Sequence, residues 1–266
     1  MNAGIDLGSS LIKIAFLEDK KVKFISSANY TLSKIASLLK QKKISEAQVV
    51  GIGTFPKELL FLKINNKRPV LLEDKIQEEI KLQLFGLKKL FISKGKKAPK
   101  DFLLVSIGTG TSYTRVKGKK FFKLPLGNSL GGGFMAGMAK ALEFNDFNNL
   151  SSQAGKGDYK AVDLYASDYI IANFAQAGAL TLKRDLAAGL MNIVAITTKK
   201  DLALYSEIRR YGGFKNVVYI GSALKNNECL KKLLKKYTEE LDKKSYFISY
   251  SEYGTALGAL LWTGNQ

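Results

Sequence analysis

Two short strand–turn–strand segments, each closed by glycines and hydroxyl residues, constrain this chain more than any other feature. The first opens the sequence, where Gly4-Ile5-Asp6-Leu7-Gly8-Ser9-Ser10-Leu11-Ile12-Lys13-Ile14 reads as a strand, a tight polar turn and a returning strand. Asp6 falls at the strand end. Gly8 lets the backbone turn closely, and Ser9 and Ser10 place hydroxyls beside exposed N–H groups. Such a turn can cradle phosphate oxygens, while the carboxylate orients the water shell of a magnesium ion. The second segment is the apolar run Phe102 to Ile107, which ends in Gly108-Thr109-Gly110-Thr111-Ser112 and resumes as Tyr113-Thr114-Arg115-Val116. A third signal is the strand Val217 to Ile220, running into Gly221-Ser222 and then a helix over Asn227 to Lys236. Any one of these turns reads equally well as an ordinary hairpin. Their repetition predicts a nucleotide whose phosphates are held from both halves.

Composition removes several alternatives. The chain contains no histidine, which excludes Ser–His and Cys–His nucleophilic chemistry and the commonest zinc ligand. Cys229 is the single cysteine, so no disulfide forms within the chain and no cysteine cluster holds a metal or an iron–sulfur centre. An enzymatic base must therefore be a carboxylate, a lysine or a tyrosine. The net charge of +19 points to an anionic partner. The lysines, however, are scattered in short clusters such as Lys40 to Lys43 and Lys231 to Lys236, without interleaved aromatics, which suits solvated faces better than nucleic acid. No segment has the apolar length of a membrane helix, and the N-terminus reads as a strand, not a signal peptide, so a cytoplasmic protein is expected.

Strands near 2–6, 11–17, 22–26 and 48–53 alternate with helices near 31–41 and 72–94, and the pattern resumes after residue 100. Alternation of this kind implies an α/β fold. The stretch Lys94-Gly95-Lys96-Lys97-Ala98-Pro99-Lys100 is the linker candidate, which divides the chain into domains of residues 1–100 and 101–266. One glycine–hydroxyl hairpin then falls in each half, as an ancient duplication would leave it.

Hairpins and the strand–Gly–helix unit together resemble the sugar kinase, heat-shock ATPase and actin superfamily. That likeness implies a two-domain actin-like (ribonuclease H-like) fold with a nucleotide cleft between the domains. Within it, the chain resembles the type II, eukaryotic-like pantothenate kinases over nearly its whole length. Gly4 to Ile14, Ile107 to Ser112, Gly127-Asn128-Ser129-Leu130-Gly131-Gly132-Gly133, Ala154 to Asp158, Asn216 to Ser222 and Tyr253 to Leu260 match family elements in the same order. The resemblance implies phosphorylation of pantothenate by ATP with Mg²⁺, the first step of coenzyme A synthesis, in a homodimer.

Residue by residue, it implies that Asp6 serves the metal and that Lys13 reaches the ATP phosphates beside Gly8, Ser9 and Ser10. Gly108, Thr109, Gly110 and Thr111 take the phosphates from the second half, with Gly221 and Ser222 on the adenosine side. Thr109, Ser112 and Lys123 contact the acceptor. Gly131, Gly132 and Gly133 open a helix whose N-terminus can face anions, although a plain helix-opening turn has the same sequence. The family base is a glutamate upstream of the second hairpin, and Glu79, followed by Gly86-Leu87, fits its spacing, with Glu73 as the rival. A glutamate suits proton removal from a primary alcohol.

Three positions depart from the family pattern. Lys81 replaces an aspartate, Phe85 a glutamine, and Leu124 the arginine that holds the substrate, so Lys123 or Arg115 must serve there or the acceptor differs. An amino sugar kinase and a non-catalytic ATP-binding homologue therefore stand as alternatives.

Overall fold

The structure is a computed structural model that describes residues 1–8, 10–27, 31–51, 57–64 and 72–262, with 72–75 described for the backbone alone. Two compact units form, one of Met1–Ala98 with Ile248–Gln266 and one of Pro99–Phe247.

The first unit begins with β1 (Asn2–Leu7), β2 (Ile12–Glu18), β3 (Lys21–Ser27), α1 (Leu32–Gln41), β4 (Glu46–Gly51), β5 (Lys63–Ile64) and α2 (Leu72–Ser93). Its sheet has the order β3-β2-β1-β4-β5, with β1 antiparallel to β2 and parallel to β4. Alternation along β1 sends Ala3, Ile5 and Leu7 into one core against Ile35, Ala36 and Leu39 of α1. Thr31 caps α1 by accepting from the N–H of Lys34.

The second unit contains β6 (Asp101–Ile107), β7 (Thr111–Lys117), β8 (Lys120–Lys123), α3 (Gly132–Ala141), α4 (Phe147–Ala154), β9 (Leu164–Ala166), β10 (Tyr169–Ala172), α5 (Lys183–Glu207), β11 (Asn216–Ile220), α6 (Glu228–Glu239) and β12 (Lys244–Phe247). The main sheet runs β12-β11-β6-β7-β8, and β9 and β10 form a separate two-stranded ribbon. Read from the far strand of each meander, β3-β2-β1-β4-β5 and β8-β7-β6-β11-β12 have one order and one set of strand directions. The duplication expected from the two hairpins is thus present as topology.

Leu103, Val105 and Ile107 pack with Met135, Leu150, Leu190, Val194, Leu230 and Leu234 in one large core. Leu230, Leu233, Leu234 and Tyr237 are the buried stripe of α6, while Lys232, Lys235 and Lys236 are exposed. The lysine cluster expected to be a solvated face is one, and it pairs with Glu228, Glu239 and Glu240. Cys229 is half-buried, and burial pushes its thiol up to about 11, which leaves it protonated and unreactive. Among the described residues no helix is long and apolar enough to cross a membrane.

The boundary at Ala98/Pro99 falls inside the expected linker, but the assignment of all of 101–266 to the second domain is corrected. The last helix, α7 (Gly254–Leu261), belongs to the first unit. Glycine makes this return possible. A Cβ at Gly4 would lie 1.9 Å from the carbonyl oxygen of Ala256, and one at Gly86 would lie 2.0 Å from that of Gly254. Backbone therefore meets backbone on both sides of α7, between β1 and α2.

Candidate active site

In the first unit, the even-numbered side of β1 carries the chemistry. Asp6 is 4% exposed and pairs in register with Lys13 of β2 and Val50 of β4. Nζ of Lys13 donates to Oδ2 of Asp6 at 3.1 Å. The hairpin is closed by the N–H of Gly8 donating to the carbonyl of Leu11, and a Cβ at Gly8 would lie 2.8 Å from that oxygen. Gly8 and Ser10 are exposed at the tip. Ser9 lies outside the described residues.

Val50 packs with Leu82 of α2 and Ala259 of α7. Register partners present their side chains to the same side of a sheet, so Asp6 faces the side covered by α2 and α7. Glu79 is half-buried three residues before Leu82, about 4.5 Å along the helix axis. The expected base and the expected metal carboxylate thus belong to one side of one sheet. Glu73 lies in the first turn of α2, and its side chain is outside the described part of the structure.

The departures at Lys81 and Phe85 have a packing explanation. Nζ of Lys81 lies 4.5 Å from the ring centre of Trp262, and Phe85 meets the same indole edge-on at 5.3 Å. Nε2 of Gln48 donates to the carbonyl of Trp262 at 2.8 Å. These contacts fasten the end of α7 to α2 and β4.

In the second unit, three glycine segments converge. The hairpin between β6 and β7 is closed by the N–H of Gly108 donating to the carbonyl of Gly110 at 2.9 Å. Gly108 has no atom closer than 3.9 Å to a built Cβ, and Thr109 is exposed at the tip. The N–H groups of Gly132 and Gly133 donate to the carbonyls of Gly108 and Thr109 at 2.6 and 2.8 Å. A Cβ on Gly131 would lie 2.7 Å from the carbonyl carbon of Gly110, and one on Gly132 would reach Cβ of Ala223 at 3.6 Å.

This corrects the anion-facing reading of the α3 N-terminus. The N–H groups of Gly132 and Gly133 are taken up by the hairpin, so these glycines hold its shape. Thr111 is corrected likewise. It is 3% exposed, its N–H pairs with the carbonyl of Asn128, and its hydroxyl donates to the carbonyl of Leu130 at 2.7 Å. Gly110 abuts Asn128, whose carbonyl oxygen would be 2.9 Å from a built Cβ. A side chain at Gly110 would therefore push against the Gly127–Gly131 turn.

Gly221 closes the cluster in the left-handed region at φ +116°, where a Cβ would lie 2.2 Å from the carbonyl of Ile107. The first unit repeats this device at Gly51, with φ +126° and a Cβ 2.4 Å from the carbonyl of Leu7. Sequence reasoning missed Gly51. The shared pattern of Val49-Val50-Gly51 and Tyr219-Ile220-Gly221 was the available signal. Ser222 follows, half-buried, at the start of a single helical turn.

On the expected acceptor side, Ser112 is half-buried on β7, and Lys123 pairs with Thr114 at the end of β8. Leu124 is 2% exposed in the core, where a ligand contact is not made. Arg115 cannot replace the family arginine. It is 1% exposed and donates to the carbonyls of Phe102, Val116 and Tyr211, with Asp101 at 2.6 Å completing its partners. Among the described residues no group of three or more Cys, Asp or Glu gathers to hold a metal ion.

Comparison with known proteins adds the following. The Fumble family model matches residues 70–201. Two type II pantothenate kinases are similar over almost their full length. That of Bacillus cereus is 27% identical, with 99% of this chain and 98% of that protein covered. That of Staphylococcus epidermidis is 26% identical, with 98% and 99% covered. Among solved structures, the activator of the 2-hydroxyisocaproyl-CoA dehydratase from Clostridium difficile with bound ADPNP matches with a TM-score of 0.64 at 18% identity, covering 97% and 92% of the two chains. A ROK family glucokinase from Streptomyces griseus in complex with glucose and AMPPNP matches with a TM-score of 0.54 at 12% identity, covering 97% of each. The structural likenesses show the fold, which is the two-domain actin-like ATPase architecture expected from the hairpins.

Proposed function

We propose that this chain, a member of the type II pantothenate kinase family, transfers the γ-phosphoryl group of ATP to the primary hydroxyl of pantothenate. The carrying observation is the buried Asp6 at the end of β1, on the side of the sheet to which Glu79 also belongs. Asp6 is a carboxylate whose side chain keeps 6% of its surface exposed and whose partner is Lys13. That donor set fits a magnesium ion whose remaining ligands are water and phosphate oxygens. When bound, Mg²⁺ neutralises charge on the β- and γ-phosphates.

Lys13 orients the phosphate chain as a mobile point charge, and the two glycine hairpins let main chain approach it closely. Glu79 accepts the proton from the attacking hydroxyl. Thr109, Ser112 and Lys123 contact the acceptor. Lys81 and Phe85 are accounted for by Trp262, so those two departures lend no weight to a degenerate, non-catalytic homologue. A cytoplasmic setting, expected from the single cysteine and the lack of a membrane-length apolar segment in the sequence, is part of the same proposal.

Coupled ADP release against pantothenate, pantetheine, N-acetylhexosamines and no acceptor tests the reading. Turnover with pantothenate is expected, and turnover confined to a hexosamine would overturn it. In the same assay, Asp6→Asn is expected to lower Mg²⁺-dependent turnover by about 10²-fold or more while nucleotide binding changes far less, because the substitution alters the metal's shell and not the nucleoside contacts. Undiminished turnover would remove Asp6 from the metal site.

The protein is further proposed to be a homodimer. Of the apolar stretches that could meet a second copy, Leu186 to Val194 is taken up by its own unit, where Ala187, Leu190, Met191 and Val194 are core residues. The ribbon of β9 and β10 does expose apolar surface, with Tyr169 80% and Ile171 62% accessible. Light scattering is expected to give twice the chain mass at micromolar concentration. It should give the monomer mass for Ile171→Asp, and a monomeric wild type would dispose of the idea.

A further inference from the structure

The second glycine cluster does not hold itself. Its outer segment, Gly127 to Gly133, is fastened at Asn128, and Asn128 is fastened to α5. Backbone groups of Asn128 and Thr111 exchange two hydrogen bonds of 2.9 Å each. Oδ1 of Asn128 accepts from the N–H of Leu130 at 3.0 Å, and Nδ2 donates to Oδ2 of Asp201 at 2.5 Å. The same carboxylate oxygen accepts from the hydroxyl of Tyr113, also at 2.5 Å, and Nδ2 of Asn128 lies 3.1 Å from that hydroxyl. Tyr113 is 1% exposed on β7, the returning strand of the hairpin.

One carboxylate thus ties together the hairpin strand and the turn that caps the hairpin. From there the connection continues without a break. Thr111 binds the carbonyl of Leu130, and the N–H groups of Gly132 and Gly133 bind the carbonyls of Gly108 and Thr109.

We propose that Asp201 is a positioning residue for nucleotide binding, acting through Asn128 to fix the Gly108–Ser112 hairpin in its phosphate-holding shape. The inference rests on reading that hairpin as a phosphate site. Two features favour a carboxylate here. It accepts from two donors at one oxygen, and charge-assisted bonds are about twice as strong as neutral ones. Burial first, and Asp201 second, push the Tyr113 phenol far up, which keeps it a donor throughout the working pH range. Asn128 meets the hairpin through its backbone, at Gly110 and Thr111, and Asp201 reaches it through Asn128 and Tyr113, so the role of both side chains is geometric.

The test uses the full chain with Mg²⁺–ADP as probe, titrated without acceptor well below the melting temperature. Asp201→Ala and Asn128→Ala are each expected to weaken ADP binding about tenfold or more, since small misplacements of a binding group carry penalties of up to about 10²-fold. The double variant should be no weaker than the weaker single, because both cut one chain of bonds. Asp201→Asn should recover most of the affinity, as its amide oxygen can accept from the same donors. Amide exchange over residues 108–112 and 127–133 should accelerate in the alanine variants and not in Asp201→Asn.

Wild-type ADP affinity and unchanged exchange in Asp201→Ala would overturn the proposal, as would additive losses in the double variant. If Asp201→Ala fails to fold, Asn128→Ser, which leaves the Tyr113–Asp201 bond in place, decides by the same tenfold criterion. A wild type that binds ADP but phosphorylates no acceptor would remove the kinase reading and leave this inference standing.

Discussion

Glu79→Gln is expected to bind ATP with wild-type affinity and to lose phosphoryl transfer by about 10²–10⁴-fold, the usual consequence of removing a general base. Glutamine keeps the size and most of the hydrogen bonding of the side chain but cannot take a proton. The loss should therefore fall on kcat, with KM for either substrate changed only severalfold. Glu73→Gln should turn over like the wild type, because Glu73 precedes Glu79 by six residues, about 9 Å of helix. The placement of Glu79 behind Leu82, which packs on the register partner of Asp6, is the structural reason for choosing it. Initial-rate kinetics on both variants, with nucleotide binding measured separately, check the assignment. A dead Glu73→Gln beside an active Glu79→Gln would move the base to the start of α2. Two active variants would exclude both glutamates.

The second large effect concerns stability. Gly86→Val is expected to destabilise the first unit by about 3 kcal/mol, the upper part of the usual range for overpacking. A Cβ at residue 86 would stand 2.0 Å from the carbonyl of Gly254 and 2.7 Å from the nitrogen of Gly258. Both obstacles are backbone, so no side-chain rotation relieves them and α2 must separate from α7. The reciprocal contact is equally close, with a Cβ at Gly258 lying 1.9 Å from the carbonyl of Leu82.

For a chain of this length, about 3 kcal/mol lowers the melting temperature by roughly 6–12 °C. Trp262 is the single tryptophan and is held by Lys81 and Phe85, so its fluorescence reports this interface directly. Gly137→Ala is the control. Gly137 is exposed within α3 with nothing within 4 Å of a built Cβ, and alanine there should add about 0.5–1 kcal/mol. A Gly86→Val protein that melts like the wild type would mean that α2 and α7 do not approach so closely.

Much of this was legible in the chain because it depends on neighbours in sequence. Strand alternation in Ala3, Ile5 and Leu7, the apolar run before Gly108 and the amphipathic spacing of Leu230 to Tyr237 each impose local structure whatever surrounds them. The turn residues at Gly8 and Gly108 to Gly110 are of the same kind. The repeat of one hairpin plan in two halves was visible too, since it is a matter of order along the chain. So was the absence of histidine, which leaves a carboxylate, a lysine or a tyrosine for any proton chemistry.

Other features were decided only when distant segments met. Spacing could not tell that the N–H groups of Gly132 and Gly133 bind hairpin carbonyls, because a free helix N-terminus and an occupied one share a sequence. Arg115 read as an available cation until its carbonyl partners and Asp101 surrounded it. Lys81 and Phe85 read as defects in a catalytic motif until Trp262 arrived between them. By itself the sequence determined the α/β character of both halves and a glycine–hydroxyl hairpin in each, since residue type and local period carry those choices. Tertiary structure alone decided that α7 returns to the first unit and that Asp201 governs the second hairpin. Those outcomes depend on close backbone approach and on hydrogen bonds between residues far apart in the chain, 88 positions for Tyr113 and Asp201 and 214 for Gln48 and Trp262.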